Sequence, residues 1–215
     1  MKKIFSVLLV LLLVVGFTAC CKKEEEEKID YLVLVNKQNK LPDNWEEIVN
    51  LSDAIDFEGG TIKVEKEALE KFNELREALL EEGVDIELDS SYRSVKRQQE
   101  IWDQFMEEHG EEYTKKYVAV PGYSEHHTGL AIDVCLKKDG KFIYDNDEMI
   151  AEKEIFAKVH AKLADHGFIL RYLEGKEDVT GYGYEPWHFR YIQDVEVAKE
   201  IMSKGLTLEE YLENK

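Results

Sequence analysis

Apolar residues at positions 64, 68, 72, 75 and 79 recur at helical spacing and predict a helix over 64–83, with Gly83 as its stop. The next stretch, VDIELDS, changes period: Val84, Ile86 and Leu88 alternate with polar residues and read as a half-buried strand. SVKRQQEIWDQFMEEHG returns to helix, with Ser94 as its N-cap. Pro121 and Gly122 make YVAVPGYSEHH a loop. That loop feeds GLAIDVCL, a strand which Asp139 and Gly140 turn back into KFIYD as a hairpin. A third helix is predicted over 148–166, with Gly167 just past its end. FILRY and WHFRYI read as strands on either side of a glycine-punctuated loop, LEGKEDVTGYGYEP. Asp194 caps a short helix, and TLEE at 207–210 is a capping box for the last one. Upstream, YLVLVNKQNKLPDNWEEIVNL begins as a strand-like run and becomes an extended lead-in around Pro42. With no internal repeat, this order predicts an α+β fold: a single domain with a mainly antiparallel sheet flanked by helices.

The first twenty residues follow a different pattern. Lys2 and Lys3 precede an apolar run from Ile4 to Val15, broken only by Ser6, and small residues lead to Cys20. This is the layout of an export signal, with an apolar run short for a membrane span. FTAC resembles the lipobox of bacterial lipoproteins, in which the cysteine, here Cys20, becomes lipid-modified and starts the mature chain; Phe17 stands where leucine is usual. The expected organisation is a signal peptide over 1–20, a charged tether over 21–30 and a globular domain over 31–215. The expected location is the extracellular face of the cytoplasmic membrane, with a lipid anchor. Length fits, since 215 residues make one well-filled domain plus a leader.

Composition narrows the class. Hydrophobic residues at 44% and charged residues at 34% suit a soluble globular body. A net charge of −18 argues against nucleic acid as a partner, because phosphate binding needs clustered lysine and arginine. Cys135 is the one cysteine left in the globular part, so no disulfide can form within it, and stability must come from packing or a metal.

The chemistry lies among six histidines. His160 and His166 point to different sides of one predicted helix, and His109 sits at a helix end where a cation is favoured, so these three read as structural or surface residues. That leaves His126, His127 and His188. In the strand after the histidine pair, Asp133 alternates with the apolar face and sits among the small residues Ala131 and Cys135. A catalytic zinc takes three protein ligands, leaves one position open, and needs a nearby carboxylate that is not a ligand. His126, Asp133 and His188 could supply the ligands, Glu185 the base, and Trp187 an apolar wall. HExxH is absent.

SEHHTGLAID fits the pattern S-x-H-x-x-G-x-A-x-D, and EPWH fits E-x-x-H. With NKQNKLPDNW, SSYRSVKRQ, HGFILRY and GYEPWHFRY in the same order, the chain resembles the VanY-type zinc D-alanyl-D-alanine carboxypeptidases over roughly 31–193. These are relatives of the LD-carboxypeptidases and share the hedgehog-like, DD-peptidase metallopeptidase fold. The resemblance implies that His126, Asp133 and His188 bind Zn2+, with His126 rather than His127 because the ligand stands three before the motif glycine, Gly129. It makes Glu185 the general base and later proton donor. Arg93 becomes the group that holds a substrate carbonyl or carboxylate and stabilises developing charge, Gln98 a hydrogen-bond partner of the peptide, and Ser124 a substrate or ligand-orienting contact. His127 is left as a residue behind the ligands or on the surface. Arg171 and Tyr172 are weaker candidates, equally explained as a strand-edge ion pair and a core aromatic. The implied reaction is removal of the C-terminal D-alanine of peptidoglycan stem peptides by a membrane-anchored monomer. The alternatives are an L,D-carboxypeptidase acting on tetrapeptide stems, an endopeptidase within the stem or cross-bridge, and a non-catalytic, zinc-containing wall-binding module.

Overall fold

The structure is a computed structural model that describes residues 28–215, with backbone only for 116 and 117. The expected signal peptide, Cys20 and most of the tether therefore lie outside the described residues. Among those described, no helix is long and apolar enough to cross a membrane.

In chain order the elements are α1 (Trp45–Ile48), β1 (Leu51–Ile55), β2 (Thr61–Glu65), α2 (Lys66–Glu81), β3 (Ile86–Ser90), α3 (Val95–Tyr117), β4 (Ala131–Lys138) and β5 (Lys141–Ile143). They continue with α4 (Asn146–Ala151), α5 (Lys153–Leu163), β6 (Phe168–Leu170), α6 (Glu177–Thr180), β7 (His188–Tyr191), α7 (Val195–Lys204) and α8 (Leu208–Glu213). The main sheet runs β3-β4-β7-β6, with β5 folded back on the end of β4, and β1-β2 form a separate hairpin. Every pairing is antiparallel. This is the α+β, mainly antiparallel domain that the patterning predicts.

The side-chain periods explain the packing. Leu130, Ile132, Val134 and Leu136 enter the main core together with Ala68, Phe72, Leu75 and Leu79 of α2. Asp133 therefore projects from the opposite face of the same strand. The hairpin at Asp139 and Gly140, both at positive φ, is present. So are the caps from Ser94 and Asp194 and the reciprocal capping box at Thr207 and Glu210.

Five expectations need correction. Residues 31–35 form no strand: carbonyls there accept the Arg190 guanidinium instead of a neighbouring strand, at 3.0 Å for Tyr31 and 2.8 Å for Val33. Val64 belongs to β2, and the helix begins two residues later, because Glu65 accepts a hydrogen bond from the Ala68 amide and caps it. The predicted helix over 148–166 is three pieces, broken first at Glu152, where ψ turns to 44°, and ending in a 3-10 turn. The second predicted helix, expected to end at Gly110, continues to Tyr117 across a kink at that residue (φ 80°, ψ 172°). EHHT, read as loop, is a 3-10 turn over Glu125–Thr128. Gly129 ends that turn at φ 72°, and a Cβ there would stand 2.7 Å from the Leu51 side chain, which accounts for glycine in the motif.

Candidate metal centre and substrate cleft

Three local structures converge. In the register of β4 on β7, Asp133 lies directly opposite His188. Cross-strand partners on one face are near enough to touch without any loop to place them. His126 arrives from the 3-10 turn, whose backbone is tied to the segment after β3: the Arg93 amide donates to the His126 carbonyl at 3.1 Å. Glu185 is set by a turn whose second position is Pro186, closed by the His188 amide on the Glu185 carbonyl at 3.2 Å. His160 props that turn with a 2.9 Å contact from Nε2 to the Pro186 carbonyl.

The result is one ligand-capable atom each from His126, Asp133 and His188, all within 4.8 Å of one another. His126 Nε2 lies 3.1 Å from Asp133 Oδ2, and His188 Nδ1 lies 2.9 Å from Asp133 Oδ1. The second contact is close but off the hydrogen-bond direction, so Oδ1 is buried without a hydrogen-bond partner. The far side of each ring is fixed. His126 Nδ1 meets the Ser91 carbonyl at 2.8 Å, and His188 Nε2 meets Glu125 Oε2 at 3.3 Å. Protons on those outer nitrogens leave His126 Nε2 and His188 Nδ1 as bare donors facing the carboxylate. An orphaned carboxylate oxygen between two such donors fits a small divalent cation, and N2O coordination with room for a fourth ligand fits zinc.

Electrostatics follow from burial. Desolvation disfavours charge on both histidines and on Asp133. For His126 it prevails and lowers the pKa. For Asp133 the two imidazoles overcome it and hold the carboxyl far below its usual range. For His188, Asp133 and Glu125 overcome it and push the ring up to about 10, so without metal a proton takes the cation's place. Glu185 lies 3.6 Å from His188 Nδ1 and is half-buried at the cleft. Withdrawal from water, opposed by His188 and aided by Asp133, pushes its carboxyl up to about 7.

These groups line a cavity of about 1010 Å³ together with Arg93, Gln98, Ser124, Tyr172 and Trp187. Arg93 donates to Gln98 Oε1 at 3.0 Å and to Ser90 Oγ at 3.3 Å. Gln98 also donates to the Ala119 carbonyl at 2.8 Å, so its amide holds Arg93 and the loop before the motif while it lines the cleft. Ser124 is buried at the head of the 3-10 turn and its hydroxyl makes no N-cap hydrogen bond there. His127 is not a surface residue: it is buried, with Nδ1 2.5 Å from the Arg93 carbonyl and Nε2 accepting from the Gly122 amide at 3.0 Å. Arg171, directly after the edge strand β6, does form ion pairs, but fully buried ones, to Glu125 at 2.8 Å and to Glu209 at 2.7 Å. Tyr172 is buried beside His188, with ring centroids 4.8 Å apart. Sequence reasoning missed Glu125, which binds Arg171, Arg190 and His188 with no exposure of its side chain. Its one signal was an arginine in each of two strands otherwise apolar enough to be buried, FILRY and WHFRYI.

Two imidazoles, one carboxylate and a separate carboxylate on an open cleft are the groups that a mononuclear hydrolytic metal centre requires. The sequence pattern of the VanY D-alanyl-D-alanine carboxypeptidases matches residues 61–194, and the chain belongs to that family. It is 44% identical over 129 residues to the bifunctional D-Ala-D-Ala dipeptidase and D-Ala-D-Ala carboxypeptidase VanXYC of Enterococcus gallinarum, covering 59% of this chain and 66% of that protein. A vancomycin-resistance D,D-pentapeptidase VanY mutant in complex with Zn(II) superimposes with a TM-score of 0.70 at 32% identity, covering 85% of this chain and 98% of that one. The LdcB LD-carboxypeptidase gives 0.73 at 36% identity, covering 89% and 92%. The chain spans about two thirds of the length of the curated relatives it matches.

The two adjacent histidines have separable tasks. His126→Ala should abolish stoichiometric zinc, measured by metal analysis after dialysis. His127→Ala should keep zinc while losing roughly 2–4 kcal/mol of stability in urea, because two buried backbone groups lose their partner. The reverse assignment of metal loss would exchange their roles.

Proposed function

We propose that this protein is a zinc-dependent D,D-carboxypeptidase that hydrolyses the C-terminal D-alanine from peptidoglycan stem peptides. The observation that carries the reading is the donor set His126, Asp133 and His188 with Glu185 3.6 Å from the nearest donor nitrogen, at the wall of an open cleft. Membership of the VanY family supplies the substrate class.

His126, Asp133 and His188 would hold the zinc, which when bound acts as a Lewis acid on the scissile carbonyl and makes water a better nucleophile. Glu185 accepts the proton of the attacking water and delivers it to the leaving nitrogen of D-alanine as the C–N bond breaks. A carboxyl displaced upward by desolvation suits both halves of that exchange. Arg93, half-buried and braced by Gln98 and Ser90, presents fixed N–H donors to the carbonyl oxygen or the terminal carboxylate. Trp187 packs against the core and walls the cleft, reducing competing water around these charges.

One observation favours removal of D-alanine from tetrapeptide stems instead: the similarity to the LdcB LD-carboxypeptidase is as close as that to VanY. Both readings share the same catalytic groups and differ only in the pocket before the scissile bond.

The N-terminal pattern supports export, lipid attachment at Cys20 and residence on the outer face of the cytoplasmic membrane, where wall peptides lie within reach of a tethered monomer. Replacing Cys20 with alanine should shift the protein from the membrane fraction to the medium or periplasm; unchanged membrane association would contradict lipid anchoring there. Glu185→Gln should retain full zinc occupancy and lower kcat on a D-Ala-D-Ala-ended peptide by about 10²–10⁴-fold, the usual contribution of a positioned acid–base group. Turnover near that of the parent would remove Glu185 from the role.

A further inference from the structure

Glu125 is buried completely, yet no step of hydrolysis needs a carboxylate where it lies. Its Oε1 accepts from Arg171 Nε at 2.8 Å and Arg190 Nη1 at 2.6 Å, while Oε2 faces His188 Nε2 at 3.3 Å. Arg171 turns its two terminal nitrogens to Glu209 of α8, at 2.8 and 2.7 Å. Asn36 donates to that same carboxylate at 3.0 Å. An unbroken chain of charge-assisted contacts thus runs from the last helix of the protein to the ring of a ligand-capable histidine. Both of its outer anchors, Asn36 and Glu209, lie beyond the residues that match the family pattern.

Stability alone does not account for such a chain. Buried ion pairs lose in desolvation much of what they gain in attraction, and an apolar set of equal volume often folds as well or better. Ligand orientation does account for it. An imidazole presents one nitrogen reliably to a cation only when the other keeps its proton and an acceptor. Glu125 is that acceptor. It selects Nδ1 as the face of His188 turned toward Asp133, and the guanidinium pair keeps its carboxylate from rotating.

We propose that Glu125 is a positioning residue for His188, and that α8 clamps it in place through Glu209 and Arg171. The inference rests on the zinc reading above, in that His188 is taken as a ligand. It predicts that the extreme C-terminal helix tunes metal affinity without touching the cleft.

The test uses the full chain, with zinc affinity measured by competition against a chelator and fold checked by circular dichroism. Wild type should bind zinc stoichiometrically. Glu125→Gln should weaken that affinity by about 10–100-fold, as partners behind a ligand usually do. Glu209→Gln should weaken it by a smaller factor in the same direction. A purely structural role would lower the thermal midpoint of either variant and leave the zinc dissociation constant unchanged, and that result would overturn the proposal. If Glu125→Gln does not fold, wild type loaded with ¹¹³Cd and labelled with ¹⁵N-histidine decides: metal coupling through Nδ1 of His188 with a retained Nε2 proton is expected, and coupling through Nε2 overturns it. Wild type that binds no zinc would sink the ligand reading itself and this inference with it, whereas a normal wild type with indifferent variants sinks the inference alone.

Discussion

The pairing of β4 with β7 is the constraint on which the rest depends, because it sets Asp133 opposite His188. A strand slipped by one residue would turn every side chain to the other face. Here the slip is prevented by the core: Leu130, Ile132, Val134 and Leu136 must all stay inside, so Asp133 must stay out of it. Packing on one side of the sheet thereby fixes chemistry on the other. The remaining donor, His126, is joined to this pair by a short 3-10 turn that ends at a glycine too confined to carry a side chain.

Charge at the site is arranged in two layers. The inner layer holds Asp133 between two imidazoles, with Glu185 at its edge. The outer layer holds Glu125 and Glu209 against two buried guanidiniums. In the outer layer burial opposes ionisation of Glu125, and the neighbouring Arg171 and Arg190 reverse that and hold its carboxyl far below the usual range. A chain with a net charge of −18 thus sets two buried cations behind the ligands, where they hold acceptors in place.

How much of this was legible in the sequence depended on the kind of signal. Alternation placed Asp133 off the core, and the turn and capping chemistry at Asp139, Ser94, Asp194 and Thr207 located the element ends, because each rests on local geometry. The order of motifs drew attention to His126, Asp133, His188, Glu185 and Arg93, all of which line one cavity. The β1-β2 hairpin went unseen because Val64 continues the helical spacing of α2 although it lies in a strand. The apolar run at 31–35 looked like a strand, yet its carbonyls serve the Arg190 guanidinium. Glu125 and Arg190 drew no notice and Arg171 only a weak one, since single-residue polarity carries no record of a partner many residues away. Gln98 shows the same limit: its position near Arg93 was visible, but that its amide binds Arg93 and Ala119 was a matter of tertiary structure.

As a D,D-carboxypeptidase, this architecture would remove one D-alanine from a stem ending in D-Ala-D-Ala and need zinc to do so. The most direct measurement is mass spectrometry of the purified, zinc-loaded protein incubated separately with pentapeptide and tetrapeptide stems. The expected result is loss of a single alanine from the pentapeptide, abolished by chelation and restored by zinc, with the tetrapeptide left intact. An unchanged pentapeptide beside a shortened tetrapeptide, or cleavage of either that survives complete zinc removal, would contradict it.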